Sequence, residues 1–585
     1  MHTLVETGVL IGAPGAYHLG KPLNRLQVPA TVQAVLAARM DRLPAEEKRL
    51  LQTAAVIGME VPLPLLQAIV ERPEAALHRG LAHLQAAEFL CETRLFPDHE
   101  YTFKHALTHE VTYGSLLQER RRTLHARIVE ALETLAPDRL SDQIDRLAHH
   151  AFRGEVWAKA VTYCRQAGTT AAARSANQEA VLCFEHALLA LRHLPDSRAV
   201  CEQAIDLRLD LRSPLARLGE FERVLDYLHE AETLAEVLGD QSRLAYVSSY
   251  RADYLRLSGS YDRALVAGQR ALTLVVALGD IRLQAMTNEH LGVIYYSLGS
   301  YQRAMDCFRQ SMASLASELL RERFGMAIPD AIESRTRLLL CLAEVGAFAE
   351  GVILGEEGIG LAEAINHPIS LARACYGVGF VSLCKGDLHQ AIARLERGLA
   401  LCQTWSIRDW FLVLAAALGD AYALSGRLAE ALPLLEQTVE QDARRRRHLS
   451  SLWIAWLSEG YMLAGRLANA MPLARQALDL ARDGRERGCE AWALRLLGEI
   501  HAHQDSLDAD QAAAHYRQAL ALAEALGMCP LQAHCHRGLG TLYTKIDQRA
   551  QARAELSAAI DLYRAMDMSF WLPEAEAALA QVEGR

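Results

Sequence analysis

Aromatic residues are scarce in this 585-residue sequence, at 6%, and its twelve cysteines are scattered singly, with no C-x-x-C anywhere. That scatter excludes a zinc ribbon or thioredoxin-type motif and reads as small buried apolar residues rather than disulfides. No stretch approaches the roughly 18–20 uncharged apolar residues of a membrane span. The first residues, Met1-His-Thr-Leu-Val-Glu6, lack the basic segment and apolar core of a secretory signal. Positive charge is not in excess either: the net charge of −10 argues against a general binder of nucleic acid or anionic membrane. A soluble, cytoplasmic protein with no membrane association is expected.

What the sequence does have is a returning phrase: a Gly, an aromatic residue or Leu two positions on, and usually a small residue three further. It reads Gly219-Glu-Phe221, Gly259-Ser-Tyr261-Asp-Arg-Ala264, Gly299-Ser-Tyr301-Gln-Arg-Ala304, Gly346-Ala-Phe348, Gly386-Asp-Leu388-His-Gln-Ala391, Gly426-Arg-Leu428-Ala-Glu-Ala431 and Gly465-Arg-Leu467-Ala-Asn-Ala470. The intervals are 40, 40, 47, 40, 40 and 39 residues. A fixed period in this range marks stacked helix pairs, none of which can bury its apolar face alone. Gly292, Tyr295, Gly299, Tyr301, Ala304 and Phe308 follow the tetratricopeptide pattern, in which small residues admit a neighbouring helix and large ones fill the groove. So do Gly540, Tyr543, Ala552, Leu556 and Ala559; Gly379, Ala391 and Leu395; and Gly419, Ala431 and Leu435. The period exceeds the usual tetratricopeptide length of about 34. Longer helices absorb the difference, with Leu238-Gly239-Asp240 and Leu278-Gly279-Asp280 as linkers: Gly stops one helix in the left-handed conformation and Asp caps the next.

The expected fold class is therefore all-α, a right-handed superhelical TPR-like α-solenoid of about nine to ten helix pairs over residues 153–585. The first helix of each pair should line the concave side, as a groove for a protein partner. That face carries Tyr246, Asp253, Arg256, Glu289, Tyr296, Arg373, Tyr376, Phe380 and Arg495, with aromatics and Arg of the kind that dominates interfaces. An insertion at 321–329, containing Gly and Pro, lengthens one repeat and reads as a surface loop.

Residues 33–104 carry a different pattern. A helix is expected from about Val32 to Met40, another with Leu50, Leu51, Ala54 and Val56 on its apolar face, and two short ones near 63–70 and 74–87. Two strand-like runs follow, Glu88–Thr93 and Glu100–Lys104, joined through Pro97-Asp98. This is a small winged-helix-like domain, and helices over 105–152 connect it to the array. Acidic residues (Glu74, Glu88, Glu92, Glu100) alternate with Arg72, Arg79, Arg94 and Lys104, a poor match to phosphates, so a winged-helix transcription regulator is disfavoured.

Several motifs imitate chemistry. Gly15-Ala-Tyr-His-Leu-Gly20-Lys21 has phosphate-loop spacing, but Pro22 stands where the magnesium-binding hydroxyl belongs, and residues 8–20 read as a short hairpin. His105 and His109 lie one helical turn apart without a third ligand. His501, His503, His534 and His536 fall in adjacent repeats. Arg444–Arg447 is a basic cluster between helices, read as solvated. No nucleophile–base arrangement has the local context of a catalytic family. No catalytic, cofactor-binding or metal-binding residue is assigned.

The run Thr3–Gly12, then Val28-Pro-Ala-Thr-Val-Gln-Ala-Val-Leu-Ala-Ala-Arg39-Met-Asp41-Arg-Leu-Pro44, resembles the exit from the nucleotide-binding domain of STAND-type ATPases. Tyr101–Tyr113 and Arg120–His125 resemble the helices after their winged helix. The whole chain is similar to the C-terminal half of bacterial proteins that join a class III adenylate cyclase, an AAA/STAND ATPase and a tetratricopeptide tail. The resemblance implies that residues 1–32 are a remnant of the end of the ATPase domain, with the cyclase and most of the ATPase outside this sequence. It implies a non-catalytic sensor and scaffold that gates an ATPase or cyclase domain in cis or trans. The alternative within that family is an ATP-binding signalling protein whose activity comes from those other domains.

Overall fold

The computed structural model describes residues 10–11, 18–19, 30–70, 72–94, 99–135, 137–315, 327–445, 450–504 and 508–584. The chain divides into two compact units, Met1–Leu218 and Gly219–Arg585.

In the first unit, strands β1 (Leu10–Ile11) and β2 (His18–Leu19) pair antiparallel, as the hairpin reading expects. The phosphate-loop imitation otherwise falls outside the described residues. Helices α1 (Ala30–Asp41), α2 (Ala45–Ile57), α3 (Leu63–Val70) and α4 (Glu74–Ala86) surround a core of Leu50, Leu51, Leu66, Leu77, Leu81 and Leu84. Pro44 and Pro73 stand just before α2 and α4, where the missing N–H costs nothing, and Glu46, Glu47 and Glu74 sit in the positive first turns. The hairpin of β4 (Leu90–Arg94) and β5 (Glu100–Phe103) has a third strand that sequence reading left out, β3 (Glu60–Pro62), giving the order β3-β5-β4. Only Val61 of this three-residue strand is buried, so it carries no alternating signal. Lys104 pairs with Glu88 at 2.7 Å and Arg72 with Glu46 at 3.3 Å, so these cations are already neutralised within the unit. Helices α5 (Ala106–Gly114), α6 (Gln118–Leu135), α7 (Ile144–Arg153), α8 (Trp157–Ala173), α9 (Asn177–Leu191) and α10 (Arg198–Leu218) complete it. Helices α8 and α9 form an entry pair, with Phe184 set against Gly168.

The second unit is helical throughout its described residues. It begins with α11 (Phe221–Leu238) and ends with α28 (Leu572–Glu583). Eight helix pairs lie between them: α12 (Gln241–Leu257) and α13 (Tyr261–Leu278), α14 (Ile281–Ser297) and α15 (Tyr301–Ser314), α16 (Ala327–Val345) and α17 (Phe348–Ala364), α18 (Pro368–Lys385) and α19 (Leu388–Thr404). The remaining pairs are α20 (Arg408–Leu424) and α21 (Leu428–Arg445), α22 (Ser450–Leu463) and α23 (Leu467–Asp483), α24 (Arg487–Ala502) and α25 (Ala509–Leu526), α26 (Cys529–Lys545) and α27 (Arg549–Ala565). This is a TPR-like α-solenoid. The small-against-large rule is visible in each pair that keeps its glycine. A Cβ added at Gly379, Gly419 or Gly540 would stand 2.6 Å from Leu395, Leu435 or Leu556, inside any real carbon contact. The linkers behave as expected: Asp240 accepts from Arg243 N at 3.0 Å and Asp280 from Leu283 N at 2.9 Å, each after a left-handed Gly. One apolar core runs from Val293 to Ala575.

Of the insertion at 321–329, residues 321–326 lie outside the described residues. Pro329 falls within the first turn of α16, where amide hydrogens have no intrahelical partner. The side chains of Arg444–Arg447 also lie outside them.

The solenoid of the second unit turns far enough for repeats distant in sequence to meet. Arg485 reaches Asp262 at 3.0 Å, Lys385 reaches Asp567 at 2.6 Å, and Tyr301 lies against Met528. Helix α16 touches α26 directly. These contacts join residues 182 to 227 positions apart, about five to six repeats.

Candidate binding cavity on the inner face

The first helices of the pairs in the second unit turn inward. The sequence register that places their side chains is simple. Six of the eight pairs have a small residue of the first helix packed on its partner helix: Gly292, Gly379, Gly419, Ser458, Gly498 and Gly540. The residue after it, about 100° round the helix, points to the inside, as does the residue four before that one. Of the residues at these positions, Phe380, Asp420, Glu459, Glu499 and Thr541, then Ala455, Arg495 and Arg537, line one cavity of about 520 Å³, while Val293, Glu289, Tyr376 and Ala416 do not. Its remaining wall includes Glu344, Trp456, Trp492, His534, Trp571 and Glu574.

Arg495 is the electrostatic centre of this cavity. Only 5% exposed, it pairs with Glu459 at 2.7 Å and with Glu499, and its guanidinium lies 5.5 Å from the Trp492 ring centroid. Two half-buried carboxylates, Glu459 and Glu499, raise its pKa despite desolvation. Arg537 pairs with Glu574 at 2.6 Å and with Glu499 at 3.5 Å, and Glu499 is held below its ordinary pKa by Arg495 and Arg537 in spite of burial. Glu344 accepts the Trp492 indole N–H at 3.1 Å; burial pushes its pKa up to about 7.

Asp420 differs from all of these. It is 4% exposed, and its Oδ1 has no hydrogen-bond partner. Burial, reinforced by Glu459 and opposed by Arg495, raises its pKa well above the ordinary carboxylate value. Its helix, α20, lies between α18 and α22, and from those flanks Phe380 and Trp456 approach with ring centroids 6.4 Å apart.

The nine groove residues expected from sequence all lie on first helices, but they do not form one site. Phe380 and Arg495 reach the cavity. Asp253, Arg256 and Glu289 share an ionic network with Glu333 and Arg337, with Arg256 bonded to Asp253 at 2.7 Å; burial, and then Glu333, push the Glu289 pKa up to about 8. Arg373 joins through Glu333 at 2.8 Å and lies over Trp410. Tyr376 is buried between Phe380 and Trp410, and Tyr296 packs edge-on to Tyr301. Tyr246 stands apart, near Asp280 and Tyr250. Sequence reading missed Asp420, Glu459, Glu499 and Arg537. The signal was present, since each occupies one of the two inward positions set by its repeat's small residue.

The histidine pairs separate as their neighbours dictate. His109 binds the Ala55 carbonyl at 2.9 Å while His105 is exposed. His534 meets the Tyr563 hydroxyl, His536 meets Glu555, His503 binds the Glu499 carbonyl and His501 stacks on His515. A cluster not foreseen lies in the first unit: His125, His149 and His150 have ring nitrogens within 4.8 Å of one another. His125 and His150 share a 2.8 Å contact, and Tyr113 bonds the far nitrogen of His125 at 3.0 Å. Burial, neighbouring histidines and nearby arginines lower the pKa of His125 to about 3 and of His150 to about 2.

Residues 287–313 match the tetratricopeptide repeat family model. An uncharacterized protein of Rhizobium meliloti is 31% identical over 176 residues, 30% of this chain and 17% of that protein, so the match spans about a sixth of the relative's length. Among solved structures, a Rap protein complexed with competence and sporulation factor aligns at 14% identity and TM-score 0.47, over 63% of this chain and 98% of that one. A STAND protein with a tetratricopeptide repeat sensor from Pyrococcus horikoshii aligns at 13% identity and TM-score 0.38, over 84% and 65%. The chain is thus a helical protein containing tetratricopeptide repeats. Its architecture is that of a protein–protein interaction scaffold, a fold type that is generally non-catalytic. Among the described residues, no helix is long and apolar enough to cross a membrane.

Proposed function

We propose that the chain is the non-catalytic sensing and scaffolding part of a signal-transducing ATPase system. Its array recruits a protein partner along the inner face, and occupancy there biases a nucleotide-binding domain, in cis or in trans, between two arrangements. In this reading residues 1–32 belong to the end of the nucleotide-binding domain, 33–104 form the winged-helix-like connector, 105–152 the connecting helices and 153–585 the array. The observation that carries it is the meeting of distant repeats in the second unit: Trp492 with Glu344, and Lys385 with Asp567. An occupant of that interior touches helices from both ends of the turn. Its binding energy therefore differs between a tight and a relaxed spiral, which is the requirement for transmitting a signal.

The test is a photo-cross-linking amino acid placed in the intact chain at Tyr246 or Tyr296, inside, and at Val266, exposed on a second helix. Adducts with one protein from the inner positions alone are expected. Equal capture from Val266, or none from the inner positions, overturns the reading.

A further inference from the structure

The cavity beside Asp420 holds one buried acceptor that nothing in the chain satisfies, and the groups around it favour one kind of ligand. Two guanidiniums, Arg495 and Arg537, are charge-paired with three carboxylates, Glu459, Glu499 and Glu574, although Arg495 Nε itself has no hydrogen-bond partner. Lys545 donates to the Ala502 carbonyl. What is missing is a donor at Asp420 itself. Asp420, more than nine-tenths buried, presents an oxygen with nothing to accept from, and Glu344 opposite has one indole N–H. A buried acceptor without a donor costs roughly 1–3 kcal/mol. The same cavity is lined by four aromatic side chains, Phe380, Trp456, Trp492 and Trp571. Carboxylate and aromatic faces together favour one chemistry, a cation with N–H donors and an apolar stem.

We propose that this cavity binds an alkylammonium group, its nitrogen donating to Asp420 Oδ1 and its methylenes lying along the aromatic wall that Phe380 and Trp456 form together. The inference rests on the reading of the inner face as the binding surface and deepens it by naming the chemistry recognised there. The ammonium belongs to a free diamine or triamine, or to the side chain of a lysine carried on a peptide. A volume of about 520 Å³ accommodates either.

The test uses the full chain and calorimetric titration with putrescine, spermidine, the tripeptide Gly-Lys-Gly and, as controls, its Nε-acetylated form and 1,4-butanediol. Saturable binding of at least one ammonium probe is expected, with affinity at least about tenfold weaker for the matching control. Tighter binding of the free amines identifies a metabolite source, and tighter binding of the lysine tripeptide a peptide source. Asp420→Asn, which keeps the shape but cannot ionise against an ammonium, should weaken binding at least about tenfold. Should that variant fail to fold, Trp456→Leu provides the second test, with a similar loss. No saturable binding by any ammonium probe, equal binding of the neutral controls, or unchanged affinity in a folded Asp420→Asn overturns the proposal. Because no partner protein is present in the titration, its failure and the failure of cross-linking at Tyr246 and Tyr296 are separate results.

Discussion

Trp492 donates its indole N–H to Glu344 Oε2 at 3.1 Å, across 148 residues of sequence, and so ties α24 to α16. Neither residue belongs to a repeat signature. Burial raises the Glu344 pKa from 4.5 to about 7, and the indole hydrogen bond opposes that rise.

Trp492→Phe should therefore weaken the junction in a pH-dependent way. Between the unfolded value of 4.5 and the folded value near 7, the native state binds more protons than the unfolded chain, so this carboxyl's contribution falls as pH rises. Without the indole the folded pKa rises further. The expected loss is about 1–3 kcal/mol, larger at pH 8 than at pH 5, measured by urea unfolding with hydrogen exchange on α16 and α24. An equal loss at both pH values would show that Glu344 does not ionise there.

Gly386 and Gly426 occupy the same repeat position with φ of +88° and +80°. A Cβ at Gly386 would stand 2.7 Å from Phe570 Cβ and from the Trp571 ring, whereas at Gly426 it would meet nothing. Both Gly→Ala changes incur left-handed strain of roughly 1–2 kcal/mol. Only Gly386→Ala adds overpacking, about 1–3 kcal/mol more. Equal denaturation midpoints for the two variants would contradict the observed contact between turns.

Arg495→Met should be the most damaging single change inside the spiral. It leaves Glu459 unpaired and deprives Glu499 of one of its two guanidiniums, at a cost of about 3–5 kcal/mol. Thermal unfolding of the variant should improve when the pH is lowered toward 5, because Glu499, which burial opposes and Arg495 helps to hold ionised, takes up a proton more readily without that guanidinium. Lack of such recovery would place the damage in packing rather than charge.

The histidine cluster predicts acid sensitivity of the first unit. His125 and His150 are buried and neutral, with folded pKa values of about 3 and about 2 against 6.5 unfolded. Below pH 6.5 the unfolded chain takes up protons that the native state refuses, so stability falls as pH drops. The slope approaches roughly 1.4 kcal/mol per pH unit for each histidine. Unfolding of residues 106–153, followed by hydrogen exchange at pH 7.5 and 5.5, should show it, and His125→Gln should flatten the dependence. An unchanged slope would mean that His125 is not the proton acceptor.

Much of the fold was legible because its signals are local. Gly239 and Asp240 announce a helix stop and a cap within two residues. Gly419 opposite Leu435 states how closely two helices pack. The third strand was not legible, since three residues with one buried side chain carry no period. The inner face was legible as a face: Phe380 and Arg495 do reach the cavity, but Tyr376 and Phe380 are consumed in packing against Trp410 and Trp456. Gly419 marks Asp420 as inward-facing, but nothing local marks it as enclosed, because the walls that bury it come from other repeats.

The sequence by itself determined the repeat. Gly-x-aromatic spacing and helical periodicity act between residues a turn or a hairpin apart, so each unit's shape is written within about 40 positions. Only the tertiary structure decided that the spiral meets itself, with α16 against α26 and Arg485 against Asp262. The rotation from one repeat to the next is small, and it takes five to six such steps in sum to decide which distant side chains meet and what space they enclose.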